Sequence, residues 1–242
     1  MNEIANPQDQ GPGFFVYIVE SPSSVDLYHR RGEGELLRQA VNHNVISCTL
    51  RLAINLEAFQ AALSIGLSEA MQATPNSIPI LHISAHGYAH GIQLSSGEIL
   101  EWHQLRDLLI PVNRAFNGNL VVCMSTCEGY SGQRMAMVPD STEHPFLAII
   151  GNCDKPTWPQ TAVAFATFYH LLANGRNIQD AVTAMRVASG NDNFFLTTAE
   201  QSKQSYISYI QEMEASEVKE DLDEQIEATG DNALAKLLRA AG

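Results

Sequence analysis

Two residues suited to acyl-transfer chemistry stand where apolar runs give way to polar ones. His86 follows the run Ile78–Ala85 and precedes Gly87, and Cys127 follows Leu120–Met124 and Ser125-Thr126. A thiol is a weak nucleophile until it loses its proton, and an imidazole within reach removes that proton. Acyl transfer also needs donors for the oxyanion that develops. Glycine lets a substrate carbonyl come close, so the Gly87 N–H is one expected donor and the Cys127 N–H a second. A loop that begins Glu128-Gly129 and enters a helix near Ser131 would bring further amides to the same place. Either residue alone is more often structural than reactive, so the pair carries the expectation. Cys123 and His82 sit inside apolar runs and read as packed side chains, while His90 is a further candidate base beyond Gly87.

The elements that position the pair come from hydrophobic periodicity. Phe14–Val19 is a short apolar run rich in β-formers, and Val45–Leu50, Ile78–Ala85, Leu120–Met124 and Phe146–Ile150 read as further strands. Between them, Glu33–Asn42, Leu56–Ala70, Trp102–Ile110, 161–174 and Ile178–Ala188 show helical spacing. Pro111 is expected to close the third of these, and Gly175 to stop the fourth. Strand and helix alternate, which predicts an α/β fold: a mostly parallel sheet with helices on both faces. In such a sheet the sites form at the carboxyl ends of the strands, where His86 and Cys127 both lie.

The chain has 242 residues with 14 Lys plus Arg against 27 Asp plus Glu, a formal net charge of −13. That balance disfavours nucleic acid and anionic membrane surfaces as partners. No run of about 18 apolar residues exists, so no membrane span is expected. Met1–Gln10 lacks a basic-then-apolar signal pattern, and the four cysteines (Cys48, Cys123, Cys127, Cys153) read as reduced thiols of a cytoplasmic protein. Their spacing suggests no zinc site, and neither metal nor cofactor is expected. Residues 1–12 read as a flexible leader and 197–242 as an acidic helical extension, around a main domain at 13–196. Residues 200–227 hold nine acidic residues against Lys203 and Lys219, with Tyr206, Ile207, Ile210 and Met213 spaced for a helix that docks one edge. Gly32-Glu33-Gly34-Glu35 has the look of a phosphate loop, but it lacks a third glycine and its acids would repel phosphate. No G-x-S-x-G elbow is present to support a serine hydrolase on the same sheet.

Leu81-His82-Ile83-Ser84-Ala85-His86-Gly87, followed by Gly91-Ile92-Gln93-Leu94, resembles the histidine motif of caspase-like cysteine peptidases (clan CD), especially the bacterial CHAT group. Val121-Val122-Cys123-Met124-Ser125-Thr126-Cys127-Glu128-Gly129 is similar to their cysteine motif. Ala148-Ile149-Ile150-Gly151, then Phe165, Phe168, Tyr169, Leu172 and Gly175 and on to Ile178–Val182, resembles a third segment, so the likeness spans roughly 75–190. It implies a three-layer α/β/α caspase-like fold. It also implies a Cys–His dyad with His86 as base and Cys127 as nucleophile, and an oxyanion hole from Gly87 and Cys127. The implied activity is that of a cysteine endopeptidase cutting a protein substrate after a selected P1 side chain. Such an enzyme is restrained by a regulatory protein partner or a cleavage event, and similar groups act in bacterial antiviral defence. After the fifth strand the family often carries Trp-Pro and an acidic pair, and this sequence departs with Gly151-Asn152-Cys153-Asp154-Lys155-Pro156-Thr157-Trp158-Pro159. Asp154 there is the expected substrate-binding residue, pairing with a P1 arginine or lysine. Arg30 and Arg31 could instead favour an acidic P1. The competing expectation is a catalytically silent caspase-like scaffold with a protein-binding face.

Overall fold

The computed structural model describes residues 13–216. Its strands, in chain order, are β1 (Phe14–Ser21), β2 (Cys48–Leu52), β3 (Ile78–Tyr88), β4 (Gly91–Gln93), β5 (Ile99–Glu101), β6 (Val121–Ser125), β7 (Ala148–Asn152) and β8 (Phe194–Thr198). The sheet runs β2-β1-β3-β6-β7-β8. The first five strands of that order are mutually parallel, and β8 closes one edge antiparallel to β7. β4 pairs with the last residues of β3, and β5 with β4, so a short antiparallel flap grows out of the histidine strand.

Strand side chains alternate between two faces. Phe15, Tyr17 and Val19 of β1, Leu81 and Ile83 of β3, and Val122 and Met124 of β6 bury against α3 (Leu56–Ala61), α4 (Leu67–Ala73) and α5 (Trp102–Ala115). Val16 and Ile18, Ile80 and Cys123 bury on the other face against α2 (Gly34–His43), α6 (Trp158–Ala173) and α7 (Ile178–Ser189). A three-layer α/β/α arrangement with a mostly parallel sheet results, as the strand–helix alternation predicts. Between β1 and β2 a five-residue helix, α1 (Ser24–Tyr28), precedes α2. The chain goes from β1 outward to β2 and then back across β1 to β3. The crevice between the ends of β1 and β3 is therefore the point where strand order reverses, which favours a site there.

Several elements depart from expectation. β2 starts at Cys48 because Val45, 85% exposed, lies at φ 60° in the turn that ends α2. Pro111 does not end α5, which continues to Ala115. The last turn survives because buried Asn113 anchors it: its side-chain N–H donates to the His144 carbonyl (2.8 Å) and its Oδ1 accepts from the Leu120 N–H (3.0 Å). The segment near Ser131 is helical but of the 3₁₀ type, over Gly129–Ala136. Gly175 stops α6 as expected, at φ 73°. Residues 199–216 are helical, with Ser202 buried and the Lys203 Nζ donating to the Ser141 carbonyl at 2.7 Å. The leader 1–12 and the acidic stretch 217–242 lie outside the described residues.

A π-helical turn, Ala62–Gly66, joins α3 to α4. The buried Tyr17 hydroxyl donates to the Ala62 carbonyl at 2.7 Å, and burial, the largest influence, pushes its phenol up to about 12. Tyr17→Phe is expected to lower stability by about 1 kcal/mol, read as a melting-temperature drop, with cysteine reactivity unchanged because Tyr17 faces away from the site.

Candidate active site

The glycines of the Gly32–Glu35 loop have a structural reason. A Cβ on Gly34 would come within 2.8 Å of Glu20 Oε2, and the Gly34 N–H donates to Glu20 Oε1 at 2.8 Å. The anion this loop cradles is thus the chain's own buried carboxylate at the end of β1. Burial pushes the Glu20 carboxyl up, against the N–H groups of Gly34 and Glu33 that hold it down.

His82, Ser84 and His86 alternate onto the α2/α6 face of β3. His82 is fully buried, its Nδ1 2.8 Å from the Tyr169 hydroxyl and its ring edge-on to Phe165, so it is a packed side chain as expected. His86, two residues on, emerges at the strand end with 41% of its side chain exposed. Its Nε2 lies 3.0 Å from Oδ2 of Asp26, a buried carboxylate on α1. Ser23 caps α1 and its hydroxyl donates to the same Asp26 oxygen at 2.5 Å. Burial alone would push the Asp26 carboxyl up. The Ser23 hydroxyl and His86, helped by the charge of Arg31, outweigh it and hold the carboxyl below its ordinary value. Asp26 is therefore ionised at neutral pH, and an ionised carboxylate only accepts, so the His86 Nε2–H is the donor of this contact. The Trp158 ring meets the imidazole edge-on at 6.1 Å between centroids. Trp158 opens α6, which is entered through a Thr157/Gln160 capping box.

β6 is the neighbour of β3, with Ser84 opposite Ser125, so Cys127 leaves the sheet beside His86. The turn after it is sharp: Glu128 has φ 52°, and the 3₁₀ helix starts at Gly129. The Glu128 N–H donates to the Asp154 carbonyl at 2.8 Å, which ties the cysteine loop to the loop after β7. His86, Cys127, Ser125, Thr126, Pro156 and Trp158 line one small cleft of about 70 Å³. Burial pushes the Cys127 thiol up. Lys155 opposes this by drawing it down, while the carboxylates of Glu128 and Asp154 push it further up. The resting thiol is thus protonated and needs a base. Cys123 is fully buried and raised to about 12 by burial, and Cys48 likewise stands at about 12, which fits inert packing thiols.

The structure thus brings His86 and Cys127 together. Gly87 packs directly on the cysteine loop: a Cβ there would overlap the Cys127 carbonyl oxygen and approach the Thr126 Cβ to 2.8 Å. Asp154 is placed differently. It is exposed and is not a wall of the cleft; its backbone N–H donates to Asn152 Oδ1 at 2.8 Å and its carbonyl holds Glu128. His90 is exposed at the β3–β4 turn, and Arg30 is exposed at φ 53°. Asp26 and Glu33, both buried next to the site, escaped sequence reasoning. The Ser23–Asp26 spacing was the available signal, since a serine followed three residues later by an acid marks a helix start. Among the described residues, no group of three or more His, Cys, Asp or Glu is arranged to hold a metal ion. No described helix is long and apolar enough to cross a membrane.

Asp26→Asn is expected to slow any His86-dependent reaction by about 10²-fold, because an amide offers Nε2 a donor and favours the wrong tautomer. Its sign with pH follows from the lowered carboxyl. The stabilisation from Asp26 is fully present above the ordinary carboxylate range and is lost as pH falls through the lower folded value. The stability gap between wild type and Asp26→Asn should accordingly close in acid, as followed by thermal melting.

No family model and no curated protein matches this sequence. Among solved structures, a secreted C11 cysteine protease from Bacteroides thetaiotaomicron, in complex with an irreversible peptide inhibitor, is similar at 9% identity and a TM-score of 0.47. The alignment covers 78% of this chain and 67% of that one. At that distance the assignment of chemistry rests on this chain's own residues.

Proposed function

We propose that the chain is a cysteine peptidase. One observation carries the reading: His86, clamped by an ionised Asp26, and Cys127 line a single cleft at the carboxyl ends of adjacent parallel strands. In this mechanism the Cys127 thiol gives its proton to His86 Nδ1, and the thiolate sulfur forms a bond to the substrate carbonyl carbon. The Gly87 and Cys127 N–H groups are the proposed donors to the resulting oxyanion. The C–N bond then breaks, and His86 returns the proton to the leaving amine. Water, deprotonated by the same imidazole, hydrolyses the thioester and restores the thiol. The protonated resting thiol supports restraint of the enzyme by a protein partner or a proteolytic cut that tightens the dyad.

The cleft supports a P1 side chain that is small and uncharged. Its volume is about 70 Å³, well below the roughly 300–1,000 Å³ of ordinary ligand pockets. Hydroxyl, methyl and aromatic groups wall it, and among the described residues no carboxylate, lysine or arginine does. A peptide library varied at P1 tests both statements. Alanine, serine and glycine should be preferred over leucine, lysine and arginine by at least about 10-fold, with no cleavage by Cys127→Ala. Preference for arginine or lysine would overturn the P1 assignment, and cleavage that survives Cys127→Ala would overturn the peptidase reading. Asp154→Ala should leave the P1 preference unchanged.

A further inference from the structure

The loop from β1 to α2 touches the site twice. Asp26 reaches His86, and seven residues later Glu33 reaches behind both reactive strands. The Glu33 side chain is 1% exposed. Its Oε2 accepts from the Ser84 hydroxyl at 2.9 Å and from the Ser125 hydroxyl at 2.6 Å. These serines are paired across β3 and β6, each two residues before His86 or Cys127. One carboxylate oxygen therefore bridges the strand that ends in the base and the strand that ends in the nucleophile. The same residue leads into α2, so it also fastens the loop that carries Asp26.

A buried carboxylate is costly unless paired. Among the described residues, no lysine or arginine lies within ion-pair distance of Glu33; the nearest ring nitrogen is His82 Nε2, at 3.8 Å. Glu33 Oε1 and His82 Nε2 are both buried without a hydrogen-bond partner. Glu20, raised by burial, lies close by, and Tyr169 holds the far side of His82. Apolar side chains in these positions would avoid that desolvation penalty, so a buried carboxyl group held by two serines and left with one unpartnered oxygen calls for a role beyond packing.

We propose that Glu33 is a positioning residue: by gripping Ser84 and Ser125 it sets the separation of His86 and Cys127 and seats the Asp26 loop over the imidazole. This rests on the peptidase reading above. A displacement near 1 Å in such a pair costs about 10²-fold in rate, so loss of the grip should appear in kcat and leave KM in place.

The test reads Cys127 alkylation by iodoacetamide against pH, resolved to that cysteine by peptide mass spectrometry, together with kcat and KM on the best P1 peptide. Glu33→Gln keeps size and puts an amide, with its N–H donors, where the carboxyl group faces the two serine hydroxyls. The triple variant Glu33→Met, Ser84→Ala, Ser125→Ala removes the grip without leaving a buried polar partner unsatisfied, which protects the fold. Both should lower kcat and the neutral-pH alkylation rate by roughly 10- to 100-fold, with KM unchanged and the triple variant melting near wild type. Wild-type kcat and alkylation in the folded triple variant would overturn the proposal. So would a triple variant that loses melting temperature and reactivity together, since Glu33 would then only hold the fold. His86→Ala separates the two readings. If it leaves Cys127 alkylation unchanged, the dyad itself fails; if it slows alkylation while the Glu33 variants do not, the positioning role alone fails.

Discussion

His86→Ala is expected to cut peptide turnover by about 10²–10⁴-fold, or roughly 3–5 kcal/mol of transition-state stabilisation at 1.36 kcal/mol per decade. The reason lies in the resting state of Cys127. Burial, with the carboxylates of Glu128 and Asp154, keeps the thiol above its usual value, although Lys155 and a backbone N–H pull the other way. At neutral pH the thiolate must therefore be made by a base. His86 is the imidazole lining the same cleft, and its tautomer is fixed by Asp26. Alkylation of wild-type Cys127 should begin at lower pH than in His86→Ala, because the imidazole can take the thiol proton. In His86→Ala the rate should rise only in alkali, above the range of an ordinary thiol, since nothing but hydroxide then removes the proton. Lys155→Ala moves in the same direction by far less, because the Lys155 ammonium is 71% exposed and well screened. A His86→Ala profile identical to wild type would mean the two residues are neighbours without being partners. That is the behaviour of a silent scaffold.

The juxtaposition of His86 and Cys127 was legible because strand ends are legible. Apolar runs of four to eight residues broken by His-Gly and by Ser-Thr-Cys mark where a parallel sheet delivers side chains to its carboxyl edge, and period-2 alternation puts Ser84 and His86 on one face. The groups that tune the pair were not legible. Asp26 is 60 residues from His86, and Glu33 is 92 from Ser125. Both sit in the connection from β1 to α2, where the five-residue α1 is too short to show a hydrophobic period, and only the folded crevice between β1 and β3 brings them in. The β4–β5 flap escaped for a different reason, since three-residue strands are too short to show alternation. Pro111 misled because backbone chemistry alone argues for a stop, whereas the tertiary hydrogen bonds of Asn113 keep the helix going. Asp154 is expected to bind substrate from its position after β7; the structure shows the residue exposed there, its backbone carbonyl holding the Glu128 turn.

Gly87→Ala is expected to leave a folded protein with almost no activity. The new methyl would overlap the Cys127 carbonyl oxygen and lie 2.9 Å from the Cys127 carbonyl carbon and 2.8 Å from the Thr126 Cβ. None of these is the end of a flexible side chain. Gly87 does not yield easily, because it pairs with Ile92, which is fully buried. The strain passes to the cysteine loop, which is fixed on its far side by the Glu128–Asp154 hydrogen bond. Overpacking of this kind costs about 1–3 kcal/mol, near 2–4 °C of melting temperature per kcal/mol in a chain of this size. A shift of the nucleophile by about 1 Å costs about 10²-fold in rate. If the Gly87 and Cys127 N–H groups are the oxyanion donors proposed above, their displacement adds about 10²–10³-fold for each donor lost. Gly175→Ala supplies the contrast. Gly175 lies at φ 73° in open space at the end of α6, so alanine there is strained without touching anything. That substitution should cost about 1 kcal/mol of stability and leave turnover intact, the reverse of the pattern at Gly87. Turnover near wild type in Gly87→Ala would show that the cysteine loop does not pack against the histidine strand as described, and would remove the geometric basis for pairing His86 with Cys127.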